Sequence, residues 1–245
     1  AQGLADSRAL SWGPKASRRD GAMQTKKSGY AHVTDGLGQH LSEAELLERW
    51  AAGDAHVEGT AFSGLAPSDV DASGAKYENV AFRSCLFDHM DFEDSTFENV
   101  VFSGCRFIAC NMERSWLNHV NFCSCSAPGL SLAHGRLTSV YLSDSQLSFA
   151  DLSDCTVMTL RARSTNLSEA TFNKARLKGL DLVDCDLTRT SFVRTPLAGV
   201  DLSSCRIGGF TVSSDYRDLK GLIIDESQAL DLIGYLGIQI KGYEA

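Results

Sequence analysis

Nowhere in the 245 residues does an apolar run approach the roughly 20 residues a membrane-crossing helix needs. Residues 1–27 hold basic side chains but no continuous apolar stretch, so a secretory signal is not expected. The histidines His32, His40, His56, His89, His119 and His134 are scattered, and no nucleophile and base recur at a catalytic spacing. A glycine-rich loop able to cradle phosphate is also missing. These absences argue against an enzyme, a resident cofactor and a membrane association, and direct contact with nucleic acid is not expected either.

What the chain has instead is a period. From Tyr77 to Val212 every fifth residue is large and apolar, and only Ala127 and Ala162 among the 28 positions are small. No residue is inserted or lost. Five is neither the period of a helix nor that of a strand, so the chain must turn after each unit. The residue two before each centre shows how many units make a coil. Read every twentieth residue, this position gives the aliphatic column Val80, Val100, Val120, Val140, Leu160, Leu180 and Val200. The column five residues on (Cys85, Cys105, Cys125, Ser145, Thr165, Cys185, Cys205) and the one fifteen on (Ala75, Ser95, Ser115, Gly135, Cys155, Ala175, Thr195) are small throughout. Separate size rules predict a four-sided coil of 20 residues, each residue stacked on its twentieth neighbour. Seven such coils at roughly 4.8 Å make a rod of about 34 Å, close to one turn of B-DNA.

Seven of the eight cysteines (Cys85, Cys105, Cys110, Cys125, Cys155, Cys185, Cys205) fall at the small inward position, where cysteine packs as a small hydrophobe. Only Cys123 faces outward. With His119 one corner away it supplies two ligands where zinc normally takes four, so no metal site is expected. The thiols read as reduced and the protein as cytoplasmic.

Units such as Ala150-Asp151-Leu152-Ser153-Asp154, Ala170-Thr171-Phe172-Asn173-Lys174 and Cys185-Asp186-Leu187-Thr188-Arg189 resemble the A(D/N)LXX motif of pentapeptide-repeat proteins. The resemblance implies an all-β fold, a right-handed quadrilateral β-helix with the centre and the residue two before it pointing inward. Phe82, Phe87, Phe92, Phe97, Phe102, Phe107, Phe122, Leu182 and Leu202 then form the inward core. Resistance members of Gram-negative type carry loops that interrupt the repeats. This chain has none between Tyr77 and Val212, so the likeness is to the loop-free, quinolone-resistance (Qnr-type) members.

The ends read differently. Residues 1–40 have the composition of a disordered or appended tail. Residues 41–56 contain a capping helix: Ser42 and Glu45 have the capping-box spacing, and Leu46, Leu47 and Trp50 give one apolar stripe. Over 57–212 the β-helix is expected, with an irregular first coil because Pro67 and Ala72 break the large-apolar register. Gly104, Ser124, Gly129, Ser139, Ser164, Gly179, Gly199 and Ser204 fall at unit corners. Residues 213–245 read as an extended segment from Asp218 to Ile224, a helix capped by Asp225 and a short strand at Ile238-Gln239-Ile240. This end resembles the family's C-terminal module, which implies a homodimer held by Leu230, Ile233, Leu236, Ile238 and Ile240.

Net charge is −8, but residues 75–212 carry 13 basic and 15 acidic side chains. The acids cluster: Asp91, Glu93, Asp94 and Glu113 on one side, Asp181, Asp184 and Asp201 on another, with a basic band at Arg161, Arg163, Lys174, Arg176 and Lys178. The family implies a dimeric DNA mimic that occupies the DNA-binding saddle of DNA gyrase or topoisomerase IV and protects it from quinolones. The alternative is an interaction scaffold for some other protein.

Overall fold

The computed structural model describes residues 30, 31, 33, 37–53 and 55–235. Helix α1 (Glu43–Ala51) opens the described chain and helix α2 (Glu226–Tyr235) closes it. Between them every strand pairs in parallel with the strand 20 residues away, as in Val80↔Val100, Phe82↔Phe102 and Phe122↔Leu142. This is the coil length that the size columns demand. Each coil has four sides. The first carries Tyr77, Phe97 and Leu117, the second Phe82, Phe102 and Phe122, the third Phe87, Phe107 and Ala127, and the fourth Phe92, Met112 and Leu132.

All nine expected core residues are buried, and so is the residue two before nearly every centre. Aromatic centres stack coil on coil. Ring centroids lie 5.5 Å apart for Phe62 and Phe82, 5.2 Å for Phe82 and Phe102, and 4.9 Å for Phe102 and Phe122. These separations follow the rise per coil, so stacking and ladder hydrogen bonds reinforce one another.

The corners obey a conformational rule more than a size rule. Gly104, Gly129, Ser124, Ser139 and Ser164 are left-handed as small residues should be, but so are Arg114, Phe149, Glu169 and Lys174. A left-handed non-glycine residue costs about 1 kcal/mol, which the ladder bonds on either side of each corner offset. Gly179 differs: its φ is not positive, and a Cβ there would lie 2.8 Å from the Met158 carbonyl oxygen.

The aspartate or asparagine of the motif closes the turn. The side-chain oxygens of Asp91, Asn111, Asp151, Asn166, Asp186 and Asp201 accept the amide two residues on, at 2.8–3.0 Å. This is the Asx turn, and it explains why these two residue types recur just before the centre.

Capping residues behave as the sequence indicates at the N-terminus. The Ser42 hydroxyl accepts the Glu45 amide, and the Glu45 carboxylate accepts the Ser42 amide at 2.8 Å. Leu46 and Trp50 are buried on the first coil, and the Trp50 indole donates to the Tyr77 hydroxyl at 2.8 Å. Burial also pushes the Tyr77 hydroxyl pKa well up.

Three expectations need correction. The first coil is regular: Pro67 and Ala72 are buried centres, and Ser68 and Asp71 pair with Asp88 and Asp91. Proline and alanine fill that end of the axis because helix α1 covers it. The extended segment expected from Asp218 begins instead with a 3-10 turn, Arg217–Leu219. Asp218 is buried there and accepts the Ser213 amide at 2.8 Å. The turn inserts two residues, so Asp201 pairs with Ile223, at an offset of 22. Finally, the described part of the tail lies on the rod: the Tyr30 ring packs at a tilt against Tyr141 with centroids 4.9 Å apart, and the Gly38 carbonyl accepts the Ala61 amide at 2.9 Å.

At the far end Asp225 caps α2 by accepting the Gln228 amide at 2.9 Å. Buried Gln228 ties the helix to the rod through the Leu202 and Cys205 carbonyls, at 2.9 and 2.6 Å. Among the described residues no helix is long and apolar enough to cross a membrane.

Candidate functional site: a rod side that changes sign

Outward residues also stack at 20-residue intervals, so their side chains form columns. On the first side the residue after the centre runs Glu58, Glu78, Glu98, Asn118, Thr138, Met158, Lys178. The corner joining the fourth side to the first runs Asp94, Arg114, His134, Asp154, Lys174, Arg194. One edge of the rod is therefore acidic near the N-terminus and basic near the C-terminus.

The acidic end brings together Asp91, Glu93, Asp94 and Glu113 on consecutive coils, as the register requires. Asp91 takes the Asn111 amide group at 3.1 Å. Arg114 sits among them, bonded to both oxygens of Asp94 at 3.0 and 2.9 Å and to Glu93 at 2.5 Å. The Asp94 pKa is held low by its hydrogen bond to Arg114, so that carboxylate stays ionised at neutral pH.

In the second predicted acidic group one member is ion-paired, while Asp184 and Asp201 remain exposed. Asp181 and Asp201 share the second side and Asp184 its corner, but Arg163 and Arg161 grip Asp181 at 2.8 and 3.3 Å. Asp201 turns its carboxylate to the Ser203 amide and hydroxyl, which lower its pKa. Sequence reading assigned the arginines to a basic band and the aspartates to an acidic face. The 20-residue stacking places them against each other.

Of the residues expected to join two copies, Leu230 and Ile233 are half-buried on α2, while Leu236, Ile238 and Ile240 lie outside the described residues. Ile223 beside them is exposed. All seven inward cysteines are buried free thiols, and Cys123 is half-exposed. The Cys105 and Cys125 thiols donate to the Phe82 and Phe102 carbonyls at 3.3 and 3.4 Å. Burial pushes the Cys155 thiol up to about 12.

A cluster that sequence reading missed is His56, Glu58 and Glu78, whose ligand atoms lie within 4.8 Å of one another. Their strands are neighbours, with His56 paired to Lys76 and Glu58 to Glu78. Lys76 already pairs with Glu78, and its hydrogen bond is the main cause of that carboxylate's lowered pKa. The cluster is thus an ion-pair network on the first side, legible only once the pairing of 56–58 with 76–78 is known.

Residues 75–152 match the family model described as a pentapeptide repeat region, and residues 165–203 match pentapeptide repeats in 8 copies. No curated protein matches the chain. Among solved structures, full-length QnrB1, a plasmid-mediated fluoroquinolone resistance protein, is 20% identical over 73% of this chain and 100% of its own, with a TM-score of 0.41. HetL, a pentapeptide repeat protein involved in heterocyst differentiation regulation from the cyanobacterium Nostoc, is 16% identical over 76% of this chain and 98% of its own, with a TM-score of 0.25. The unbroken five-residue register, the Asx-turned motif, the four-sided parallel coil and the two family matches agree, and the chain is a pentapeptide-repeat protein.

Proposed function

We propose that this protein is a binding rod, not an enzyme, and that the acidic corner Asp91, Glu93, Asp94 and Glu113 engages a positively charged protein surface. The carrying observation is the stacking of four carboxylates on two consecutive coils with only Arg114 among them. Three net charges over about 10 Å give about half the linear charge density of a DNA duplex.

The partner class that this reading favours is a type II topoisomerase, DNA gyrase or topoisomerase IV, engaged where it would hold duplex DNA and so shielded from quinolones. Two rods joined at their C-terminal ends would double the length presented, and half-buried Leu230 and Ile233 beside exposed Ile223 support that end as the join. Mimicry by this chain rests on its N-terminal coils, because Asp181 is neutralised by arginines.

The test is gyrase affinity and supercoiling at two ionic strengths, with and without a quinolone. Changing Asp91 and Asp94 to Asn and Glu93 and Glu113 to Gln together should weaken binding and flatten its salt dependence without unfolding the rod. Gyrase binding that ignores salt, or no binding by a folded protein, leaves an interaction scaffold for a different basic partner. Sedimentation of Ile233→Glu checks the join, with a monomer expected.

A further inference from the structure

The coils do not stack uniformly. Along the first side the Met158 amide donates to the Leu137 carbonyl at 2.8 Å and the Lys178 amide to Val157 at 2.9 Å. The next bond of that series, Ala198 to Leu177, is not formed. Likewise Val140 donates to Thr159 at 3.0 Å and Leu160 to Gly179 at 2.9 Å, while the bond from Leu180 to Gly199 is missing. Among the described residues no backbone-to-backbone hydrogen bond joins 176–184 to 196–204, and the Asp184 amide reaches only the Ser204 hydroxyl, at 3.3 Å. The third and fourth sides of the same two coils remain stitched, as by Arg206 to Cys185 at 2.9 Å and Phe192 to Thr211 at 2.8 Å. The rod is split open on two adjacent sides.

The causes are local. Pro196 has no amide to give to the Ala175 carbonyl, a bond that Arg176 makes to Cys155 one coil earlier at 2.8 Å. Above the split, the two-residue insertion at Arg217–Leu219 draws the upper lip away: Leu197 donates to Asp218 at 2.9 Å and Gly199 to Gly221 at 2.8 Å. Consistent with the gap, Leu177 and Leu180 are half-exposed, unlike their counterparts in earlier coils.

On the first side the split is a cleft of ≈ 350 Å³ walled by Lys174, Arg176, Lys178 and Arg194, with no carboxylate among its lining residues. Lys174 reaches Asp154 at 3.8 Å. The side chains of Arg176, Lys178 and Arg194 have no acidic partner among the described residues, although the Arg194 amide donates to the Asp218 carboxylate at 3.2 Å. Three of these cations belong to the lower lip and Arg194 to the upper. Four like charges around one opening repel.

We propose that this cleft is an oxyanion site that takes a phosphate group, with Arg176 and Lys178 on one lip and Arg194 on the other closing on it. The bound anion replaces the missing rungs as the link between the last two coils. It neutralises the basic end of a rod whose net charge is otherwise negative.

Calorimetric titration of the full chain with inorganic phosphate and with pyrophosphate, at constant ionic strength set by chloride, tests this. Saturable binding is expected, pyrophosphate the tighter, together with slower amide exchange over 176–184 and 196–204. Arg176→Gln with Arg194→Gln should weaken binding by about tenfold or more. Arg189→Gln with Arg206→Gln, which removes cations paired to Glu169 and Asp186 on the third side, should leave it unchanged. Adenosine monophosphate binding distinguishes a phosphate ester from the free ion. No saturation beyond chloride, equal loss in both double variants, or undiminished binding by the first would each overturn the site.

Discussion

The N-terminal and C-terminal coils are built on one repeat yet differ in almost every property that the repeat leaves free. From Tyr77 to Phe122 the axis is filled by stacked rings, strands of eight residues run unbroken round the corner between the first and second sides, and the outer edge is acidic. From Thr156 onward leucine replaces phenylalanine on most of the axis, strands shrink to two or four residues, the edge turns basic and the last two coils part on two sides. Inward positions set the fold, and because they are satisfied by any residue of suitable size, the outward positions are free to diverge coil by coil. A solenoid can therefore carry opposite chemistries at its two ends without a change of architecture.

The comparison can be broken most severely at the ring stack. Phe102→Asp places a charge between Phe82 and Phe122 without a partner, and burial of that kind costs several kcal/mol, so cooperative thermal unfolding should be lost. The milder Phe102→Ala should cost about 3–5 kcal/mol by denaturant titration, whereas Leu197→Ala, beside the split, should cost only about 2 because the parted coils can close on the cavity. Equal costs would mean that the two ends are packed alike.

Cys105→Leu comes next, at about 1–3 kcal/mol, since its column admits small residues and its thiol is fully buried against the Phe82 carbonyl. Without ligand, amide exchange should be faster at Leu180 and Leu182 than at Val140 and Leu142, which occupy the same positions two coils earlier. The smallest effect concerns the thiols: an electrophile at neutral pH should label Cys123 first and the seven buried cysteines only on unfolding.

How much of this was legible follows from how local each feature is. The fold class and the core from Phe82 to Leu202 were readable because the five-residue period repeats often enough to fix register by itself. The acidic corner was readable as well, since stacking at 20 residues is part of the same period. The pairing of Asp181 with Arg161 was implicit in the same 20-residue stacking, whereas the grip of Arg163, 18 residues away, shows only in the side-chain placement. The role of Asp218 was hidden because its acceptor function depends on a turn that has no period.

The sequence alone determined which side chains go inward, the length of the coil, the parallel stacking and the cap at Ser42, all of which depend on residues a few positions apart or on a strict repeat. Only the tertiary structure decided where stacking fails. Whether 176–184 bonds to 196–204 depends on a missing amide at Pro196 together with a two-residue insertion beyond position 212 that acts through the coil in between. Hydrogen-bonded rungs are won or lost by the balance of pulls on both faces of a coil, and that balance is set in three dimensions.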